Sequence, residues 1–96
     1  MPRVGAKPLT ATHTAIADRL EDMCQVVLFN DDHNTAEFVV ECLRKVFSHP
    51  EELAAKIMIE AHTRGRSIAE VESETPARLH KEQLQSFGLT AEVERI

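Results

Sequence analysis

The feature that most constrains this chain is a change of hydrophobic period inside one short stretch. Gln25-Val26-Val27-Leu28-Phe29 is β-branched and almost continuously apolar, the pattern of a central strand covered on at least one face. It stops at Asn30-Asp31-Asp32. Six residues further on, Phe38, Val39, Cys42, Leu43, Val46 and Phe47 recur at helical spacing, with Glu41, Arg44 and Lys45 on the other side. A strand must therefore hand over to an amphipathic helix across an acidic turn. Asn34-Thr35-Ala36-Glu37 has the form of a capping box, with Asn34 as the N-cap.

The rest of the pattern is set by start and stop signals. Ser48-His49-Pro50-Glu51-Glu52 opens a second helix, because proline and acids suit a first turn whose amides are unpaired. Its buried stripe is expected to be Leu53, Ala54, Ile57, Met58 and Ala61, and Gly65 is its C-cap. Arg66 to Glu72 reads as a weaker strand. Thr75-Pro76 opens a third helix carrying Leu79, Gln83, Leu84 and Phe87, and Gly88 stops it. Leu89, Ala91 and Val93 alternate with polar residues as in an edge or half-covered strand. The expected fold is α+β in the order β-α-α-β-α-β, a small antiparallel sheet of about three strands packed against three helices.

Residues 1–23 are rich in Ala, Thr and Pro and read as a disordered N-terminal extension. Residues 24–96 form the domain. Ninety-six residues with 43% hydrophobic content fill one modest core. The net charge of −5 argues against a protein that grips nucleic-acid backbones. Cys24 and Cys42 have neither metal-finger nor CxxC spacing and read as buried thiols in a reducing cytosol. Arg3 and Lys7 are not followed by the apolar segment of a signal peptide. No apolar run approaches the roughly 20 residues that span a bilayer.

Asn30-Asp31-Asp32 reads in one way as a solvated strand-to-helix turn whose side chains cap and cross-brace backbone amides. A concave cluster of acceptors has another evident use, to hold a cation. Asp31, Asp32, His33 and His62 do not have the register of a calcium loop or the paired histidines of a zinc enzyme, so no metal or other cofactor is expected. Neutral imidazole can accept one hydrogen bond while donating another. His62, beside an amide oxygen and a carboxylate, would complete an acceptor set for an ammonium group. No nucleophile, oxyanion hole or phosphate cradle is evident, and the chain is not expected to be an enzyme.

Taken together, Asn30-Asp31-Asp32, Glu37-Phe38-Val39 and Met58-x-x-x-His62 followed by Gly65 resemble the core of ClpS, the adaptor of the bacterial Clp protease. The resemblance runs from Cys24 to the end of the chain. It implies a cytoplasmic, monomeric adaptor without cofactor. Such an adaptor binds proteins with a free, bulky, apolar first residue (an N-degron) and hands them to the N-terminal domain of a ClpA- or ClpC-type unfoldase. The cation is then an α-amino group, with a reference pKa of about 7.7–8.0.

By position, the resemblance assigns amine binding to Asn30, Asp31, Asp32 and His62, with Asp32 the favoured carboxylate. It assigns the apolar pocket to Leu28, Asn34, Ala36, Val39, Met58, Ala61 and Leu89. Ala36 replaces the family's usual Met gate and Ala61 a common Val, so a wider pocket that admits Ile or Val is expected. Thr75 and His80 stand where Glu and Lys usually dock the unfoldase, with Glu74 and Lys81 one residue away. The alternative reading is a ClpS-like regulatory module of the unfoldase whose N-degron delivery is altered or lost.

Overall fold

The computed structural model describes residues 23–96. The extension expected over 1–23 lies outside the described residues, apart from Met23, which opens the first strand. The six elements are β1 Met23–Phe29, α1 Ala36–Phe47, α2 Glu51–Arg64, β2 Arg66–Ser73, α3 Glu74–Ser86 and β3 Thr90–Arg95. The expected β-α-α-β-α-β order and three-stranded antiparallel sheet are both present. The strand order is β2-β1-β3, so the most apolar strand sits in the middle, hydrogen-bonded along both edges.

Alternation along β1 divides its side chains. Cys24, Val26 and Leu28 join Cys42 and Leu43 of α1, Ala54, Ile57 and Ala61 of α2, and Ala77 and Leu84 of α3 in one buried cluster. Val27 points to the other face and is nonetheless fully buried. Its partners across the sheet are Ile68 and Glu92. The pairing of β1 with β2 shifts register between Val26 and Val27, which face Glu70 and Ile68, so Ala69 is the extra residue of a bulge. His49, in the α1–α2 connection, donates from Nε2 to the Ala69 carbonyl at 2.8 Å. That bond fixes the bulge and sets the imidazole proton on Nε2. No helix among the described residues is long and apolar enough to cross a membrane.

Several local expectations need correction. The N-cap of α1 is Thr35, not Asn34: Thr35 has extended backbone angles, and its hydroxyl accepts from the Phe38 amide at 3.1 Å. The Asn34 amide is committed elsewhere. Helix α3 begins at Glu74, with Ser73 as N-cap. Pro76 thus falls in the first turn, where its missing N–H costs nothing. The buried stripe of α3 is Ala77 and Leu84, whereas Leu79 is 53% and Phe87 38% exposed. Leu53 of α2 is likewise exposed.

The end of α3 fixes the turn into β3. Gly88 has φ +91. Its N–H reaches the Gln85 carbonyl at 2.9 Å and that of Leu89 reaches Leu84 at 3.1 Å, the paired bonds of a Schellman motif. Leu84 and Leu89 are both buried, which supplies the apolar contact that accompanies this motif. Leu89 therefore belongs to the turn rather than to β3.

Candidate functional site

The acidic turn between β1 and α1 is held by its own side chains. Asp31 Oδ1 accepts the backbone N–H groups of His33 and Asn34, each at 2.9 Å. The Asn34 side-chain amide donates to both Asp31 oxygens at 3.2 Å. Partial burial pushes the Asp31 carboxyl up, but the hydrogen bonds from Asn34 and His33, with the nearby His33 imidazole, outweigh it and hold the pKa below the ordinary carboxylate value. Asp31 is thus a brace of the turn, which leaves Asp32 as the exposed carboxylate.

Two long-range ties set where this turn lies. At its start the Asn30 N–H donates to the Gly65 carbonyl at 3.0 Å. Gly65 caps α2 in a left-handed conformation, φ +92, three residues after His62. At its end the Asn34 side chain donates to the Gly88 carbonyl at 3.0 Å. The first tie holds the turn against the end of the helix that carries Met58, Ala61 and His62. The second holds it against the Schellman turn of α3.

Between them lies a hollow of about 330 Å³, lined by Leu28, Phe29, Asn30, Asp31, Asp32, Asn34, Ala36, Val39, Met58, Ala61 and His62. The four residues expected at the amine end and six of the seven expected in the apolar pocket therefore border one cavity. Leu89 does not line it; it is buried in the core. Phe29, not among the expected residues, does line it, its ring 5.5 Å from the Arg66 guanidinium. Its signal is its place as the last apolar residue before Asn30. Among the described residues, the side chains of Asn30, Asp32 and His62 have no hydrogen-bond partner within the protein, so their acceptor capacity is unspent.

The four expected docking positions fare differently. Glu74 accepts from Arg78 at 2.8 Å and from Arg95 at 2.9 Å. The Arg78 hydrogen bond, then the Arg95 charge, lower its pKa. His80 donates from Nδ1 to Glu72 at 2.6 Å and meets the Phe47 ring edge-on. Thr75 is exposed and Lys81 half-buried. Two of the four are thus engaged inside the protein.

The family model described as the ATP-dependent Clp protease adaptor protein ClpS matches residues 19–92. The ATP-dependent Clp protease adapter protein ClpS of Synechococcus elongatus is 40% identical over 89 residues, 92% of this chain and 90% of that protein. The chain belongs to the ClpS family. Among solved structures, Agrobacterium tumefaciens ClpS2 bound to L-phenylalaninamide superposes with a TM-score of 0.72 at 28% identity, covering 78% of this chain and 98% of that one. The sheet order and helix placement described above are thus those of a ClpS fold. In this ClpS-family chain Ala36, expected from the resemblance to replace a Met gate, is exposed at the start of α1 and borders the hollow.

Proposed function

We propose that this ClpS-family adaptor binds the free α-amino group and bulky apolar side chain of an N-terminal residue, and delivers the attached protein to a ClpA- or ClpC-type unfoldase. One observation carries the reading: a single hollow is bordered by the unspent acceptors Asn30, Asp32 and His62 and by the apolar walls Leu28, Val39, Met58 and Ala61. An ammonium group has three N–H donors, and an amide oxygen, a carboxylate and a neutral imidazole can accept them. Burying one large side chain adds roughly 1.5–3 kcal/mol. The ligand of Agrobacterium tumefaciens ClpS2, L-phenylalaninamide, has the same chemistry, a free amine beside a large apolar side chain, which supports the reading.

Discrimination arises from the polar half. Acetylating the amine leaves acceptors without donors, at on the order of 1–3 kcal/mol per unsatisfied group. Calorimetry with a Leu-initiated peptide and its acetylated twin tests this. The free peptide should bind, and the acetylated one should bind at least about tenfold more weakly. Asn30→Ala and His62→Ala should each narrow that gap. Equal binding of the two peptides would exclude amine recognition.

A second reading is favoured by one observation. Glu74 and His80, at or beside the expected docking positions, are held by Arg78, Arg95 and Glu72. In that reading the chain regulates the unfoldase without delivering N-degrons. Capture of an isolated unfoldase N-domain, with and without the Leu-initiated peptide, separates the two readings. Delivery requires a ternary complex.

A further inference from the structure

We infer that Asn34, although it borders the hollow, is a positioning residue: a clasp that locks the acceptor turn to the end of α3 through its hydrogen bonds rather than a wall that acts through its volume. This deepens the function proposed above and rests on it for its consequence in binding. The resemblance to the family puts Asn34 among the pocket residues, where a wall acts through volume. The hydrogen bonds show a different use of the side chain.

Asn34 Nδ2 carries two protons, and its neighbours there are all acceptors: the Asp31 carboxylate at 3.2 Å and the Gly88 carbonyl at 3.0 Å. That surrounding fixes which end of the amide is nitrogen. One donor closes the turn on itself, and the other reaches 54 residues along the chain. The receiving carbonyl belongs to a turn that is itself held by backbone hydrogen bonds. Gly88 lies inside a Schellman motif locked by Gly88 N–H to Gln85 and Leu89 N–H to Leu84, with Leu84 and Leu89 in the core.

The other anchor of the turn is the Asn30 N–H bond to Gly65. With Asn30 fixed at one end and Asn34 at the other, Asp32 has its position set relative to His62. Releasing Asn34 frees the Asp32 side of the acceptor set and leaves Asn30 tied to the end of α2. A binding site held within a fraction of an ångström depends on such supports.

Three variants separate a clasp from a wall. Asn34→Asp keeps the shape but removes both donors and sets a second carboxylate beside Asp31. Asn34→Ala removes the donors and the volume. Asn34→Thr keeps one donor, which can serve Asp31 or Gly88 but not both. A clasp orders them wild type, Thr, Ala, Asp in affinity for a Leu-initiated peptide, with Ala weaker than wild type by about tenfold. The ranking of Leu, Phe and Ile as first residues should stay unchanged. A wall predicts Asp and Thr close to wild type, and a changed ranking in Ala alone.

Amide hydrogen exchange without any peptide gives an independent readout. In Ala and Asp variants the His33 and Asn34 amides should exchange at least about tenfold faster, while those of Val26 and Leu43 stay protected and show that the fold is intact. Unchanged exchange at His33 and Asn34, or a ranking that tracks side-chain volume, overturns the clasp. If the wild-type chain does not bind the Leu peptide, the proposed function fails, and the exchange comparison alone then decides the clasp.

Discussion

His80 Nδ1 lies 2.6 Å from Glu72 Oε2, and both side chains are largely shielded, at 22% and 16% exposure. The pair joins α3 to β2. Phe47 of α1 completes the contact: its ring meets His80 edge-on at 4.9 Å and stacks on His49 at 5.1 Å. His49 in turn holds the β2 bulge through Ala69. Three elements are thus tied together at the residue that the family resemblance assigns to docking.

Breaking this tie should cost stability. His80→Ala removes an aromatic edge contact worth about 0.5–1.5 kcal/mol and leaves the Glu72 carboxylate without its donor. A destabilisation of about 1–3 kcal/mol is expected, read by urea unfolding. A purely external docking residue would change stability by less than about 0.5 kcal/mol. The same variant should leave peptide affinity unaltered, since His80 does not line the hollow.

Asp31 gives a pH dependence with a defined sign. Burial raises its folded-state pKa, but bonds from Asn34 and His33 outweigh burial and depress it below the ordinary value of 3.8. The carboxylate therefore contributes stability that is fully present above its unfolded pKa and is lost as pH falls through the lower folded value. Neutral and mildly acidic solutions should leave the turn intact. The Asp31 carboxyl carbon, monitored by NMR, should titrate below 3.8, together with the amide protons of His33 and Asn34. A midpoint at or above 3.8 contradicts the hydrogen-bonded turn.

Gly65 tests the tie at the other end. Its φ of +92 is a left-handed conformation, and a Cβ there would meet nothing within 4 Å. Gly65→Ala therefore incurs backbone strain alone, about 1–2 kcal/mol, a fall in Tm of roughly 4–8 °C per kcal/mol for a domain of this size. Because the Gly65 carbonyl also holds Asn30, peptide affinity should fall with stability. In Gly88→Ala the strain is similar, and again no side-chain clash arises. A loss of stability without any loss of affinity in Gly65→Ala would mean that Asn30 is placed by other contacts.

Legibility in the chain depends on the range of the interaction. Strand β1, the acidic turn and helix α1 are dictated by a change in hydrophobic period over about twenty residues. Gly65 and Gly88 announce their helix ends locally. The cap of α1 lies one residue beyond the expected position because Asn34 and Thr35 are both competent N-caps. The Gly88 carbonyl that engages the Asn34 side chain is 54 residues away and leaves no trace in local spacing. The α3 stripe departs from expectation for a similar reason. Leu79 and Phe87 are the larger apolar residues, but the tight approach of α3 to the sheet takes Ala77, which is fully buried. The hollow itself is legible only through the family's register, which aligns Met58 and His62 on one helix face with the turn after β1. Phe29 and Leu89 mark the limit of that transfer.

The hollow's breadth makes the last prediction. Ala36 stands in the first turn of α1 and borders the cavity of about 330 Å³ together with Val39, one turn further on. Alanine contributes a single methyl to that rim. A β-branched first residue is wide at Cβ, next to the amine, and needs room at that rim. Leu or Phe is widest further along its side chain. The present chain should therefore accept Ile and Val beside Leu and Phe, with a Leu-over-Ile preference below about tenfold. Ala36→Met adds three heavy atoms at an exposed helix position, where methionine is as helix-compatible as leucine, so the fold should persist. The longer side chain should crowd the Cβ region and raise the Leu-over-Ile ratio by about tenfold, mainly by weakening Ile. Fluorescence titration of labelled peptides that differ only in the first residue measures both ratios. An unchanged ratio in Ala36→Met removes the gate from the account and shifts first-residue selection to the inner walls, Val39, Met58 and Ala61.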